Sequence, residues 1–146
     1  MGRIHLDPAS SEEFNFYVKA FMIYTEQSNG VLPECEWAGN VFLNPPGGLV
    51  KEFWQKLIKE YNSGRVSRAV WVGFSVEQLC TLADEPYHPA DYSICYLRKR
   101  LNFTREDLSV CGSPSHGNYI SAIGCDPAEF ERLFGHLGKI VHGKKA

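Results

Sequence analysis

The sequence predicts an α/β fold: a mostly parallel sheet with helices on both faces and an antiparallel addition at one edge. Three observations predict it. Short runs of β-formers alternate with helical periodicities through the first half of the chain. One run, Ala69-Val70-Trp71-Val72-Gly73-Phe74, lacks polar alternation and reads as a strand buried on both faces. The end of the chain is strand-rich, with one clear helix start at Asp126-Pro127.

Taken in order, Arg3-Ile4-His5-Leu6 reads as a short strand that stops at Asp7-Pro8. Ser10 or Ser11 is placed to cap a helix whose first turn holds Glu12 and Glu13, where the dipole favours acids. Phe14, Tyr17, Val18 and Phe21 follow at helical spacing and are expected in the core. Phe21-Met22-Ile23-Tyr24 predicts a second short strand, broken by Ser28-Asn29-Gly30. A loop through Pro33 and Trp37 leads to a third strand ending at Asn44. Leu49, Phe53, Leu57 and Tyr61 recur every fourth residue and predict the clearest helix, over 49–61, closed by Asn62-Ser63-Gly64. After the strand 69–74, Ser75 caps a short helix to Leu82. A Pro-containing loop follows over 83–90. Strands are predicted over 92–96, 101–103, 118–123 and 139–141, a turn over 113–117, and a helix from Asp126 to about His136. Trp37, Trp54 and Trp71 are expected in the core.

The 146 residues suffice for one domain, 1–146, with a real core. A net charge of −2 gives no overall basic signature, so nucleic acid would have to meet a local patch, such as Arg98-Lys99-Arg100 or the tail 139–145. Five scattered cysteines, an odd number with no C-x-x-C pair, argue against zinc and against a disulfide framework. A reducing cytoplasm fits them best. No stretch reads as a signal peptide or a membrane span. Neither a dinucleotide fingerprint nor a phosphate-binding loop is present.

The stretch Asn40-Val41-Phe42-Leu43-Asn44-Pro45-Pro46-Gly47-Gly48 carries the chemistry. An apolar strand stops at two prolines that donate no hydrogen bond and hold Asn44 extended. An amide and nearby carbonyls are thus fixed at a strand's carboxyl end, where open α/β sheets bind ligands. Asn44 and Pro45 offer two acceptors for the hydrogens of an exocyclic amine, leaving its lone pair free to attack an electrophile. The plain alternative is a proline-rich turn between strand and helix.

The ordered set Ile4-His5-Leu6-Asp7-Pro8-Ala9-Ser10, Tyr24-Thr25, Trp37-Ala38-Gly39 and Val41-Phe42-Leu43-Asn44-Pro45-Pro46 resembles the phage-type DNA N6-adenine methyltransferases. The resemblance continues through Phe53-Trp54, 69–74, 98–103 and 113–118, and covers nearly the whole chain. It implies a Rossmann-like methyltransferase fold, S-adenosylmethionine as methyl donor, adenine in DNA as acceptor, no metal, and a bacterial or phage-infected cytoplasm. Carried over by position, Asn44 and Pro45 accept from the adenine amine and Pro46 fixes their geometry. Asp7, Pro8 and Ala9 line the methionine side of the donor, and Glu26 faces its ribose. The target base would be flipped from its stack.

The motif's fourth position, aromatic in the family, is Gly47 here; Phe74 or Trp54 is the expected substitute stacking face. The first strand's end lacks the glycines common at donor-binding turns. The family's Thr-Pro-containing segment ahead of the first strand also has no counterpart, which implies a truncated product, weakened donor binding, or a helper chain or second copy. Arg98, Lys99 and Arg100 are expected at phosphates. His116 is weighed as a general base against a solvent-facing loop histidine. Two other readings stand beside the enzyme: a non-catalytic methyltransferase-fold relic that binds nucleic acid or a protein partner, and an enzyme acting on another amine, such as cytosine N4 or a side-chain amide.

Overall fold

The computed structural model describes residues 2–105, 107, 109 and 116–146. Its chain order is β1 (Leu6–Asp7), α1 (Glu12–Val18), β2 (Met22–Ile23), β3 (Gly39–Leu43), α2 (Val50–Asn62), β4 (Val66–Gly73), α3 (Glu77–Thr81), β5 (Ser93–Leu97), β6 (Tyr119–Ile123), α4 (Pro127–Phe134) and β7 (Gly138–His142). The seven strands form one sheet in the order β2-β1-β3-β4-β6-β5-β7. β2, β1, β3 and β4 are parallel, with Leu6 opposite Val41 and Leu43 opposite Trp71. β6, β5 and β7 add antiparallel pairings, so the antiparallel part is three strands wide. The mixed α/β class expected from the sequence is the class found.

Period-two alternation sorts the strands onto two cores. Val41, Leu43, Ala69, Trp71, Tyr119 and Ile123 face one side, where α2 delivers Val50, Phe53, Trp54, Leu57 and Ile58. Val70, Val72, Cys95, Ile120 and Ala122 face the other, closed by Phe130 of α4. Helices therefore cover both faces. All three tryptophans are fully buried, as expected, and the Trp54 and Trp71 rings meet edge-on at 5.1 Å. At the end of α2, Gly64 takes φ 80°, the left-handed conformation that closes a helix. Asp126 Oδ1 accepts from the Ala128 and Glu129 amides and caps α4, with Pro127 at its first position.

Two expectations fail. α1 buries none of its residues: Tyr17 is 60% exposed and Phe14 only partly buried, and Phe21, beyond the helix, is 77% exposed. The helix is two turns long and ends where Asn15 grips both the N–H and the C=O of Ala20. β2 closes the sheet on that side, so no further strand lies beneath these rings. Residues 101–103 form no strand, because β6 is already paired on both sides and β7 holds the other edge of β5. The Leu101 amide donates instead to Asn118 Oδ1, at 2.6 Å. The turn over 113–117 lies outside the described residues up to Ser115. Among the described residues, no helix is long and apolar enough to cross a membrane.

Candidate functional site

From β1 the chain moves outward to β2, then returns past β1 to β3. The carboxyl ends of β1 and β3 therefore part at the point where the winding reverses, the position at which open α/β sheets bind ligands. A cavity of about 880 Å³ lies there. It runs across the ends of four adjacent strands, a span of roughly 14 Å at ~4.8 Å per strand.

One end of the cavity is built after β1 and β2, from Pro8, Ala9, Ser10, Thr25, Glu26 and Asn29. Gly30 lies so close to Pro8 that a Cβ there would sit 2.2 Å from the Pro8 carbonyl oxygen. Only glycine lets the two segments meet. The Trp37 indole N–H holds the Gly30 carbonyl at 2.9 Å from within the core.

The other end is the corner after β3. Pro45 is buried, and the Pro46 carbonyl accepts from the Leu49 N–H at 3.0 Å as the chain enters the 3-10 turn Gly47–Leu49. Asn44, half-buried, lines the cavity, and its amide takes no hydrogen bond from any described residue. The acceptors left at the corner are thus the Asn44 amide oxygen and the Pro45 carbonyl. Phe53 of α2 backs this end, while Phe74, Phe103 and Thr104 face it from the ends of β4 and of the segment after β5.

Of the residues picked from the sequence, Pro8, Ala9, Glu26, Asn44, Pro45, Pro46 and Phe74 all line this cavity. Asp7 sits behind the wall, 3% exposed, where its Oδ1 accepts from the Ala9 N–H at 3.2 Å and shapes the turn. Burial pushes its carboxyl up to about 6, against the Ala9 amide and the Ser10 hydroxyl, which favour the ionised form. Trp54 is removed as a stacking face: it is fully buried, and its indole N–H donates to the Tyr87 carbonyl at 2.8 Å. Phe74, 42% exposed, remains. Arg98, Lys99 and Arg100 are exposed and do not line the cavity. They follow β5, which points the same way as β4, so they flank the cavity along the same edge of the sheet.

Sequence reading missed Phe103, assigned there to a strand. Its ring lies 5.2 Å from that of Phe74. The available signal was an aromatic a few residues past a basic cluster, a pattern single-stranded nucleic-acid sites use. His116 packs its ring 5.2 Å from Phe74, and its Nδ1 lies 3.9 Å from Glu77 Oε2. It stands at the rim rather than among the lining residues. A Ser-His-Glu arrangement also forms: Ser93 Oγ is 2.8 Å from His142 Nδ1, and His142 Nε2 is 2.9 Å from Glu131 Oε1. Ser93 is fully buried in β5, so no substrate reaches its hydroxyl and the set is structural.

Glu26 is the one charged side chain among the described lining residues. A phosphate-bearing cofactor would meet no lysine or arginine there, and the turn after β1 carries no glycine-rich loop. No family model, no curated protein and no solved structure matches the chain.

Proposed function

We propose that the chain is a Rossmann-like, S-adenosylmethionine-dependent methyltransferase whose acceptor is the exocyclic N6 amine of adenine in DNA. The observation that carries this reading is the Asn44–Pro45 corner, its amide oxygen without a partner among the described residues, opening into the same cavity as the ends of β1 and β2. The cavity lies near the top of the range of about 300–1,000 Å³ usual for ligand sites, which leaves room for a nucleoside-sized donor beside a second planar group. Its wall fits the donor's chemistry. Glu26 stands after β2, where a carboxylate accepts from ribose hydroxyls in nucleotide-binding α/β folds. Among the described lining residues the one charge is negative, and the donor's sulfonium is positive.

S-adenosylmethionine, when bound, supplies a methyl group activated for transfer to a nucleophile. The protein's part is positioning. Asn44 Oδ1 and the Pro45 carbonyl accept the two amine hydrogens, holding the nitrogen with its lone pair turned away from the corner. Pro46, at φ −62° and ψ 140°, sets the bend that keeps both acceptors in place. Phe74 offers a face for the base. The proton that the amine gives up leaves to water through the open mouth. Arg98, Lys99 and Arg100 contact phosphates beside the cavity.

The test is methyl transfer from labelled S-adenosylmethionine to adenine-containing DNA. Asn44→Ala is expected to abolish transfer while leaving donor binding intact. Transfer undiminished in that variant overturns the reading. A non-catalytic relic remains as the second reading because Gly47 leaves the corner without its own ring; it predicts nucleic-acid binding with no transfer.

A further inference from the structure

Gly47 supplies no ring of its own at the acceptor end of the cavity, where Phe53, 3% exposed, stands behind the corner. A Cβ built at Gly47 meets nothing within 4 Å, so a side chain could start there without a clash. The opposite wall carries two rings, Phe74 and Phe103, tilted 45° to one another. One buried side chain anchors the backbone beside both: Asn118 donates from Nδ2 to the Phe74 carbonyl and accepts at Oδ1 from the N–H of Leu101, two residues before Phe103. The segment that brings Phe103 to the cavity begins at Arg98, whose N–H is held by the Leu137 carbonyl at 2.9 Å. Five residues of extended chain reach at most about 18 Å, so phosphate-contacting cations and base-contacting ring lie on one short strap.

Resting on the methyl-transfer reading for the identity of the acceptor, we infer that the substrate is a single-stranded or already unpaired adenine, and that Phe103 is a positioning residue which stacks on it together with Phe74. A base drawn from a duplex must give up its neighbours' stacking and its pairing, whereas an unpaired base has less to lose. A site whose corner supplies no exposed ring opposite Phe74 and Phe103 recovers less of that cost. One base–aromatic stack changes affinity by roughly 5- to 150-fold. The net charge of −2 gives no overall basic signature of the kind that accompanies binding to phosphates on both strands of a duplex.

The test is fluorescence anisotropy with a short labelled oligodeoxynucleotide carrying one adenine, free and annealed to its complement, at fixed salt. The single strand is expected to bind at least about tenfold tighter than the duplex. Phe103→Leu keeps an apolar packing group but no ring; it is expected to weaken single-strand binding by about tenfold or more, and Phe103→Trp to restore it. Gly47→Phe, whose Cβ meets nothing within 4 Å, is expected to narrow the gap between single strand and duplex. Equal affinity for the two forms, no binding of either, or full affinity in Phe103→Leu overturns the inference. Titration with S-adenosylmethionine alone separates the two claims: a wild type that binds no donor defeats the methyltransferase reading, while the oligonucleotide data decide the role of Phe103 independently.

Discussion

The side-chain amide of Asn118 donates to the main-chain carbonyl of Phe74 and thereby ties the start of β6 to the end of β4. The same side chain accepts from Leu101, and the Asn118 carbonyl accepts from Leu97 at 3.1 Å. One buried residue thus ties together the backbone segments that carry Phe74 and Phe103.

Replacing Asn118 by Ala leaves a buried carbonyl and a buried amide unpaired, which costs about 1–3 kcal/mol for each group not rescued by water. Chemical denaturation is expected to show that loss, and oligonucleotide binding is expected to weaken further as Phe74 and Phe103 lose their alignment. Unchanged stability would mean that the amide is not buried as described.

Phe74 and Trp54 separate function from packing. Phe74→Ala removes a 42% exposed ring, with an expected stability change of about 1 kcal/mol or less but a marked loss of acceptor binding. Trp54→Ala empties a fully buried site that includes the edge-on contact with Trp71, at an expected cost of about 3–5 kcal/mol. Thermal unfolding of both variants beside binding assays checks the contrast; equal losses of stability and binding in Phe74→Ala would assign that ring to the core.

Asp7 makes stability depend on pH. Its carboxyl ionises near 4 in an unfolded chain and is pushed up to about 6 in the folded one. Between these values the folded state keeps a proton that the unfolded state has lost, so rising pH favours unfolding. The favourable contribution is complete below about pH 4, declines through pH 6 and is absent above it. Asp7→Asn keeps an acceptor for the Ala9 N–H without the charge. It is expected to be more stable than wild type at pH 7, by on the order of 2–3 kcal/mol, and to gain little at pH 4. Urea unfolding at the two pH values decides the matter, and no gain at pH 7 would show that Asp7 is solvated.

Gly30→Ala places a methyl group against the Pro8 carbonyl, where a separation of 2.2 Å forces one segment to move. A loss of about 1–3 kcal/mol is expected from the strain. Because Pro8 lines the donor end, S-adenosylmethionine binding is expected to fall with it. Unaltered binding would show that Pro8 does not contact the donor.

Joint substitution of Arg98, Lys99 and Arg100 by Ala is expected to lower single-strand affinity and flatten its salt dependence. Three lost phosphate contacts reduce the slope of log affinity against log salt by about 2. An unchanged slope would remove these residues from the nucleic-acid path.

The carboxyl-end corner was legible because prolines act locally. Pro45 and Pro46 stop a strand whatever surrounds them, and Asn44 is found where that logic places it. The helix over Val50–Asn62 was legible for the same reason, its four-residue spacing surviving into the packed core. The failures came from tertiary context. The aromatic spacing after Ser11 reads as a core helix, but β2 ends the sheet and leaves Tyr17 and Phe21 exposed. Leu101-Asn102-Phe103 has a strand's composition but meets no free sheet edge, and a side chain seventeen residues later takes its amide. Phe103 was therefore read as structure although it stands at the candidate site.

The most direct test of the central claim is calorimetric titration of the chain with S-adenosylmethionine, with Glu26→Ala and Asn44→Ala alongside. The account predicts one-to-one binding in the micromolar range, weakened about tenfold by Glu26→Ala and left intact by Asn44→Ala. Absence of binding at millimolar donor, or equal binding in wild type and Glu26→Ala, would contradict it.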